Sequence, residues 1–287
     1  MALAKVAGSL LVAMSVLGCS TAGLRVDGTL EKIKSSNTFN VGYIASVPPF
    51  SFLGPDRQPV GYSIDLCKHV ANSIQRQLGI KLKLNWVPVT AINRIDQVVQ
   101  GNVDLECSST TASLSRQERV DFSLMTFVDG GGLLTKSDRP LRALSDLADK
   151  RIALIPGTTT ETALTQFLKE EFVPIQLLHV KDHVEGRAAV EQGLVEAFAS
   201  DRGILLGLIV TSAEPSRLAI PNFQFSYEPY GFMLRRNDAD FRLAVNRSLA
   251  ELYRTGGVGQ VYERWFGALG KPSAELKAMY LLNGLPE

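Results

Sequence analysis

The sequence has almost no excess of charge of either sign. Its 30 Lys and Arg residues face 29 Asp and Glu residues, which leaves a net charge of +1 at neutral pH. A nucleic-acid-binding protein needs a basic surface to neutralise phosphates, so this balance does not support such a partner. It also argues against an acidic solvating tail. The length of 287 residues, 45% of them hydrophobic, suffices for one large domain or two smaller ones.

Cysteine and histidine are scarce, with three of each. No C-x-x-C pair or Cys/His cluster is present, so we expect no structural zinc site. The motifs H-E-x-x-H and G-x-S-x-G are also missing, as is a Ser/His/Asp order for a nucleophile. We therefore expect no metal, no cofactor and no catalytic residue. Cys67 and Cys107 would either form a disulfide in an exported protein or remain buried thiols.

The apolar run near the start of the chain is too short to span a membrane as a mature helix. It reads VAGSLLVAMSVLGC and follows Lys5. A charged start, a short apolar stretch and small residues at its end predict a secretion signal over residues 1–18. Gly18 before Cys19 resembles the lipobox of bacterial lipoproteins, although Leu17 is larger than usual at its position. An ordinary cleaved signal is the alternative, and both interpretations predict export to the periplasm.

Residues 19–37 are small and polar and predict a tether. From residue 38 onward, strand patterns alternate with helix patterns, which predicts α/β architecture with mostly parallel sheets. The segment YSIDLCKHVANSIQRQL predicts a helix with Ser63 as its candidate cap, and Thr158 with Glu161 forms a capping box. The phrase QGNVDLECSS returns later as QGLVEAFASD, and both indicate helix, Gly stop, strand and polar loop. This repetition favours two lobes built on one plan, with ligands at the carboxyl ends of the strands.

The segment DLECSSTTASLSRQERVDFS combines a strand exit with many hydroxyl groups. Ser108 to Thr111 follow the predicted strand and precede a helix start near Ser113. Hydroxyl and backbone N–H groups at such a place form an anion site. Arg116 adds a planar fork that suits a carboxylate. A polar turn followed by a solvated Arg is the alternative interpretation.

Polar residues also mark strand and helix ends in the rest of the chain. Asp201 ends the strand VEAFASD and either holds a ligand ammonium or caps the next helix. PGTTTE is a further helix start, but it lacks the Lys of a P-loop, so no nucleotide site is expected. Arg94 and His183 lie near helix starts, where a solvated polar side chain is the default interpretation.

The chain resembles the bacterial extracellular solute-binding proteins of family 3, which serve amino-acid ABC importers, and is most similar to their glutamate/aspartate-binding branch. The resembling phrases are, in order, VPPFSF, GYSIDLC, NRI, LECSSTT, SRQERVDFS, LLTK, GTTTE, KDH, AFASD, YGFMLRR and ERWF. The resemblance implies an α/β, two-lobed periplasmic-binding-protein-like fold of type II with the ligand cleft between the lobes. Lobe 1 would comprise residues 38–128 plus 227–270, lobe 2 residues 129–226, and residues 271–287 a C-terminal tail.

The resemblance also implies a set of ligand-binding residues. These are Arg94, Ser109, Thr111, Arg116, Thr159, His183 and Asp201. Arg116 would pair with the α-carboxylate of an amino acid, helped by the three hydroxyl residues. Asp201 would bind the α-ammonium, with Ser109 as a further acceptor. Arg94 and His183 would face the far end of the ligand side chain.

The chain departs from the acidic-ligand pattern at three positions. Ile44 stands where that branch usually has an Arg, and Ala91 stands where it usually has a Ser. Both usual residues help to hold a side-chain carboxylate, so the identity of the ligand side chain stays open. Phe232 stands where the usual disulfide partner of Cys107 would be, which leaves pairing with Cys67 as an open guess.

The implied function is capture of a polar amino acid outside the inner membrane for delivery to a membrane permease and its ATPase. Glutamate and aspartate are favoured, and glutamine and asparagine come second. We expect a monomer, anchored through a lipid at Cys19 if the lipobox is used. One alternative is an enzyme similar to cyclohexadienyl dehydratases, with His183 or Glu106 as general acid. The other is an amino-acid sensor lipoprotein that feeds no transporter.

Overall fold

The computed structural model describes residues 28–286, and these residues build two α/β lobes. Its strands are β1 Thr38–Tyr43, β2 Ser46–Val47, β3 Ser51–Leu53, β4 Pro59–Val60, β5 Lys83–Pro88, β6 Leu105–Glu106, β7 Val120–Asp129, β8 Gly131–Lys136, β9 Arg151–Leu154, β10 Gln176–His179, β11 Ala197–Asp201, β12 Leu218–Ala219 and β13 Glu228–Arg235. Its α-helices are α1 Thr29–Ser36, α2 Tyr62–Leu78, α3 Arg94–Val99, α4 Leu114–Gln117, α5 Thr159–Glu170, α6 His183–Glu191, α7 Arg202–Val210, α8 Ala239–Arg254, α9 Gly257–Phe266 and α10 Ala274–Asn283.

Each lobe is built on one five-stranded mixed sheet. Lobe 1 has the strand order β5-β1-β6-β13-β7, in which β5, β1 and β6 run parallel. Lobe 2 has the order β10-β9-β11-β8-β12, in which β10, β9 and β11 run parallel. Strands β13 and β7 in lobe 1, and β8 and β12 in lobe 2, pair antiparallel. The shared plan confirms the two-lobed α/β prediction, and the parallel strands direct their carboxyl ends toward the cleft.

The two crossings between the lobes lie side by side. The chain leaves lobe 1 at the end of β7 and enters β8 after the single residue Gly130. It returns along β13, which pairs antiparallel with β7 over most of its length. Aromatic rings pack edge-on or stacked where these strands meet lobe 1. They belong to Phe50, Tyr62, Phe127, Tyr230 and Phe266. We call the two adjacent crossings the hinge. The aromatic packing holds the hinge firmly against lobe 1.

Helix α2 spans the segment predicted from its four-residue spacing, but its start differs from the prediction. Gly61 is the residue before the helix, and no side chain caps it. Ser63 instead donates a hydrogen bond of 2.8 Å to the backbone oxygen of Ser108. The predicted cap therefore supports the loop that follows β6. The capping box of α5 forms in part, because Thr158 accepts from the Glu161 amide while the Glu161 carboxylate accepts from Gly157.

The prediction of a tether through residue 37 is wrong for its second half. Helix α1 occupies Thr29–Ser36, and Ile33 is fully buried against the core of lobe 1. The backbone amide of Thr29 donates to Asp238 at 2.8 Å, and Lys32 pairs with Asp104 at 2.7 Å. The sequence misled because polar and charged residues surround one fully buried apolar side chain. The predicted signal, Cys19 and residues 20–27 lie outside the described residues.

Two further features fix elements of lobe 1. Cys67 of α2 and Cys107 after β6 form a disulfide, which resolves the choice between a bridge and two thiols. Helix α10 of the C-terminal tail packs on β7 and α8, and its Tyr280 hydroxyl lies 2.7 Å from that of Tyr62. Within residues 28–286, no helix combines the length and the hydropathy that crossing a membrane requires.

Candidate functional site

A narrow cavity of about 30 Å³ lies between the lobes. Its lining residues are Ile44, Ala91, Arg94, Ser109, Thr111, Ile155, Thr158, Thr159, Thr160, His183, Ala199, Ser200 and Asp201. Six of the seven predicted ligand-binding residues are in this lining, and they come from both lobes. Most are buried, so a ligand reaches them only when the lobes separate.

Arg116, the seventh predicted residue, lies beside this cavity rather than in its lining. Helix α4 carries it, and Ser113 caps that helix by accepting from the Arg116 amide. The guanidinium donates to the backbone oxygen of Thr111 at 2.9 Å and, across the cleft, to that of Gly157 at 3.4 Å. Burial and the charge of Arg94 lower the pKa of Arg116 to about 10, so the side chain remains a cation at neutral pH.

Glu228, at the start of β13, is a buried carboxylate that the sequence analysis missed. It accepts hydrogen bonds from Thr111 at 2.5 Å and from Thr159 at 2.6 Å. Each hydroxyl has a single proton, so neither can donate to a ligand while it donates to Glu228. Ligand binding through these two hydroxyls would therefore require them to exchange partners. Glu228 and Tyr230 lie two residues apart, so their side chains share one face of β13. This spacing is the sequence signal that could have identified both residues as part of the site.

Asp201 ends β11 and is nearly fully buried on the lobe 2 side. Its carboxylate does not cap α7, which removes the alternative interpretation of this residue. One oxygen accepts from Thr160 at 2.6 Å, and the other accepts from the hydroxyl of Tyr230. Burial, together with the charges of Glu228 and Asp129, raises the pKa of Asp201 to about 7. A cation placed against this carboxylate would reverse that shift.

Asp129, at the end of β7, caps α7 in place of Asp201. Its carboxylate accepts from the amide of Gly203 at 2.9 Å and from that of Gly130 at 2.8 Å. The hydroxyl of Tyr230 lies 3.3 Å away, so one phenol proton is shared between Asp129 and Asp201. Burial raises the pKa of Asp129 to about 6. Asp129, at the end of the crossing strand β7, thus connects the hinge to α7, the helix that follows Asp201.

Arg94, at the start of α3, belongs to a buried polar chain within lobe 1. Its Nη1 donates to Thr110 at 2.7 Å, and Thr110 donates to Glu106 at 2.8 Å. Ser108 donates to the other oxygen of Glu106 at 2.6 Å. The Nε of Arg94 is buried without a hydrogen-bond partner among the described residues. The Nη1 of Arg94 therefore bonds within lobe 1, whereas its Nε has no partner among the described residues.

His183 begins α6 and lines the cavity opposite Arg94. Burial, strengthened by the charge of Arg94, lowers the pKa of His183 to about 4. The imidazole is therefore neutral at physiological pH. Its Nδ1 is buried and, within residues 28–286, has no hydrogen-bond partner. Arg94 and His183, one from each lobe, thus both line the cavity, and each carries a buried nitrogen without a hydrogen-bond partner among the described residues.

Two of the three positions that depart from the acidic-ligand pattern also reach the cavity. Ile44 and Ala91 line it and contribute no hydrogen-bonding side-chain atom. The two phenylalanines of the phrase VPPFSF are absent from the lining: Phe50 is buried among the rings of Tyr62, Phe127, Tyr230 and Phe266, and Phe52 packs on Trp265. A larger cavity of about 220 Å³ lies on lobe 2 near Lys136, but none of the predicted residues lines it.

The cleft presents opposed charges without a metal-binding geometry. Within the described part of the chain, no group of three or more His, Cys, Asp or Glu residues could hold a metal ion. Arg116 and Arg94 approach from lobe 1, and Asp201 approaches from lobe 2. Such an arrangement can hold a small molecule that carries both charges.

Comparisons with known proteins agree with this architecture. The model of the bacterial extracellular solute-binding proteins, family 3, matches residues 39–268. The L-glutamate/L-aspartate-binding protein of Pseudomonas aeruginosa is 33% identical, over 91% of this chain and 88% of that protein. The glutamate/aspartate import solute-binding protein of Salmonella typhimurium is also 33% identical, over 90% of this chain and 88% of that protein.

A solved structure extends the agreement to three dimensions. An ancestral amino-acid-binding protein, described as a precursor of cyclohexadienyl dehydratase, superposes with a TM-score of 0.73 at 27% identity. The match covers 84% of this chain and all of the other. The family match spans both lobes and both crossings. The chain therefore belongs to the bacterial extracellular solute-binding proteins, family 3.

Proposed function

We propose that this protein captures a free α-amino acid outside the inner membrane and delivers it to an ABC permease and its ATPase. The observation that carries the proposal is the burial of Asp201 from lobe 2 in the cavity lining and of Arg116 from lobe 1 beside it, where Arg116 donates across the cleft to the Gly157 oxygen. The guanidinium suits the α-carboxylate, and the carboxylate suits the α-ammonium. Ser109, Thr111 and Thr159 would support the carboxylate once the two threonines release Glu228.

Two anchors on different lobes make closure depend on the ligand. A ligand shifts the equilibrium between open and closed lobes only by its difference in affinity for the two states. A zwitterion touches one anchor when the lobes are open and both when they are closed. Arg116 already reaches the Gly157 oxygen across the cleft, so the closed geometry brings it within reach of lobe 2.

Two groups of ligand side chain are candidates. Relatives named for glutamate and aspartate make these two amino acids the first candidates, with Arg94 and His183 at the far end of the side chain. Glutamine and asparagine are the second, because Ile44 and Ala91 provide no donor for a second carboxylate. A neutral amide requires fewer charged partners than a desolvated carboxylate does.

The proposal includes export and the moving units. The pattern of residues 1–18 supports secretion to the periplasm, and Cys19 supplies a lipid anchor if the lipobox is used. Residues 38–128 with 227–270 would move as one lobe and residues 129–226 as the other. Helix α10 would travel with lobe 1, on which it packs. Mass spectrometry of the secreted chain would show whether its first residue is a lipidated Cys19.

Calorimetry with a panel of free amino acids tests the proposal. At least one of glutamate, aspartate, glutamine and asparagine should bind with a Kd below about 0.1 mM at neutral pH. The same amino acid with a methylated α-carboxylate should not bind measurably, because it loses the charge that Arg116 would hold. Failure of the whole panel, with a folded protein, would contradict the proposal.

An enzyme on this scaffold would need a general acid at the ligand. His183 is neutral at physiological pH, and Glu106 is held by Ser108 and Thr110. Turnover of a carboxylated cyclohexadiene substrate would overturn the choice of a binding protein. A sensor would bind the same ligand but pass it to no permease. Uptake of the radiolabelled ligand by cells that lack this protein separates the two roles, because uptake should fall only if the protein serves transport.

A further inference from the structure

A second cavity continues the cleft beyond the predicted ligand site. Its volume is about 220 Å³, against about 30 Å³ for the site itself. The two cavities share four lining residues: Ile44, Ala91, Ile155 and His183. We name this second space the side cavity. Because its lining comes from both lobes, it forms part of the same closed cleft.

The side cavity is apolar inside and polar at its outer end. Its inner wall is formed by Ile44, Val89, Ala91 and Ile155, of which all but Ala91 are nearly fully buried. Its outer end is formed by exposed residues, including Lys181. Two of the three positions that depart from the acidic-ligand pattern, Ile44 and Ala91, stand at the junction. A long polar side chain at either place would fill the passage between the two cavities.

His183 stands at the junction and Arg94 lines the ligand site, and each carries a buried nitrogen without a hydrogen-bond partner in the part of the chain that the structure describes. Arg94 Nε can only donate a hydrogen bond. His183 is neutral at physiological pH because burial lowers its pKa, and its Nδ1 can accept a hydrogen bond in the tautomer that carries the proton on Nε2. A secondary amide offers what this pair requires, since its oxygen accepts from Arg94 and its N–H donates to His183. A carboxylate has no proton to give, so it would leave His183 Nδ1 unpaired in that tautomer.

We propose that the site takes γ-substituted glutamates, in which an amide replaces the side-chain carboxylate and carries an apolar group into the side cavity. The inference rests on the proposed function, because Arg116 and Asp201 hold the α-amino-acid end. It adds a position for the amide, between Arg94 and His183, and a position for the substituent, against Val89, Ala91 and Ile155.

Calorimetry with three probes tests the inference: L-glutamate, L-glutamine and γ-L-glutamylethylamide. The ethylamide should bind at least as tightly as glutamine. In Ala91→Leu, the added side chain narrows the junction and should weaken the ethylamide about 20-fold more than it weakens glutamine, which the substitution also affects because Ala91 lines both cavities. Val89→Ala removes apolar contact from the side cavity alone and should weaken the ethylamide about threefold, with glutamine unchanged. Thermal unfolding of both variants confirms that they fold.

The outcomes separate this inference from the proposed function. If glutamate or glutamine binds and the ethylamide binds at least 20-fold more weakly, the side cavity does not take a substituent and the inference fails alone. If the ethylamide binds tightly but both variants treat it as they treat glutamine, its substituent lies elsewhere and the inference also fails. If the broader amino-acid panel and the ethylamide all fail to bind the folded wild-type protein, the proposed function fails with it.

Discussion

The two walls of the cleft differ in the sign of their charge and in how that charge is held. Lobe 1 contributes Arg94 and Arg116 from two short helices that follow loops. Lobe 2 contributes Asp201 from the end of a central strand. The cationic wall therefore depends on loop geometry, whereas the anionic residue is fixed by the sheet. We therefore expect the cationic and the anionic side chains to be held in place by different neighbouring elements.

That support is visible in the surroundings of each wall. In lobe 1 the Cys67–Cys107 disulfide joins α2 to the loop that carries the hydroxyl residues, and Ser63 holds the same loop through the Ser108 oxygen. Lobe 2 has no cysteine in its sequence. There Asp201 accepts from Thr160 of its own lobe and from Tyr230 of the crossing strand β13, and the Tyr230 hydroxyl also contacts Asp129 at the end of β7. The anionic anchor is thus coupled to the hinge, and the cationic anchor to the interior of lobe 1.

Loss of the lobe 1 cation should have the largest effect. Arg116→Ala should weaken amino-acid binding at least about 100-fold, because truncating a buried charge partner costs several kcal/mol. Arg119→Ala is the matched control, since Arg119 is exposed and pairs with Asp96 on the surface. Calorimetry of the two variants checks the prediction. Equal affinities would remove Arg116 from the site.

Loss of the lobe 2 anion should have a smaller effect. Asp201→Asn keeps the shape and the acceptor oxygen but removes the charge, so binding should weaken about 30-fold. Asp146→Asn is the control, because Asp146 is an exposed carboxylate of lobe 2 that accepts from the amides of Arg142 and Ala143. Titration calorimetry of both variants at pH 8 provides the measurement. A stronger loss in Asp146→Asn would place the anionic anchor elsewhere.

Closure of the two walls should be sensitive to one contact far from the ligand. A Cβ at Gly207 in α7 of lobe 2 would overlap the backbone of Pro48 in lobe 1. Gly207→Val should therefore disfavour the closed state and weaken binding about tenfold. Leu206→Ala, on the solvent side of the same helix, is the control. Small-angle scattering with saturating ligand should show a more open Gly207→Val protein, and an unchanged profile would count against this closure contact.

The pH dependence of binding should come from the lobe 2 wall. In the free closed protein the pKa of Asp201 is raised to about 7, and only its ionised form attracts an ammonium. Affinity should therefore fall as the pH drops below 7, approaching about tenfold per pH unit, and should level off above it. Asp201→Asn should flatten the profile between pH 5 and about 8. A wild-type profile that is already flat would show that Asp201 stays ionised.

Much of this architecture follows from local patterns. The four-residue spacing predicted α2, and the alternation of strands and helices predicted two α/β lobes. The links around Asp201 did not follow, because Thr160, Tyr230 and Asp129 lie far from it in sequence and local patterns do not encode their contacts. The spacing of Glu228 and Tyr230 is a local signal, but the hydrogen bonds of Glu228 to Thr111 and Thr159 join residues far apart in sequence.

The sequence alone could suggest one property of the site, namely that polar residues stand at the ends of strands. Hydroxyl residues after β6 and an Asp at the end of β11 are visible in the sequence, but each has an ordinary structural explanation. Only the fold brings them to one cleft. Conversely, α1 was missed because an eight-residue helix with a single fully buried apolar residue lacks the periodicity that identifies longer helices.

The most direct measurement pairs each anchor with one end of the ligand. Affinities of wild type, Arg116→Ala and Asp201→Asn would be measured for the amino acid that binds tightest and for its α-amide and N-acetyl derivatives. The α-amide should bind wild type much more weakly than the free amino acid does, but Arg116→Ala should bind the two with similar affinity. The N-acetyl derivative should likewise bind wild type much more weakly than the free amino acid, while Asp201→Asn should bind these two with similar affinity. Penalties that add fully in both variants, or that match the opposite ends, would contradict the two-anchor clamp.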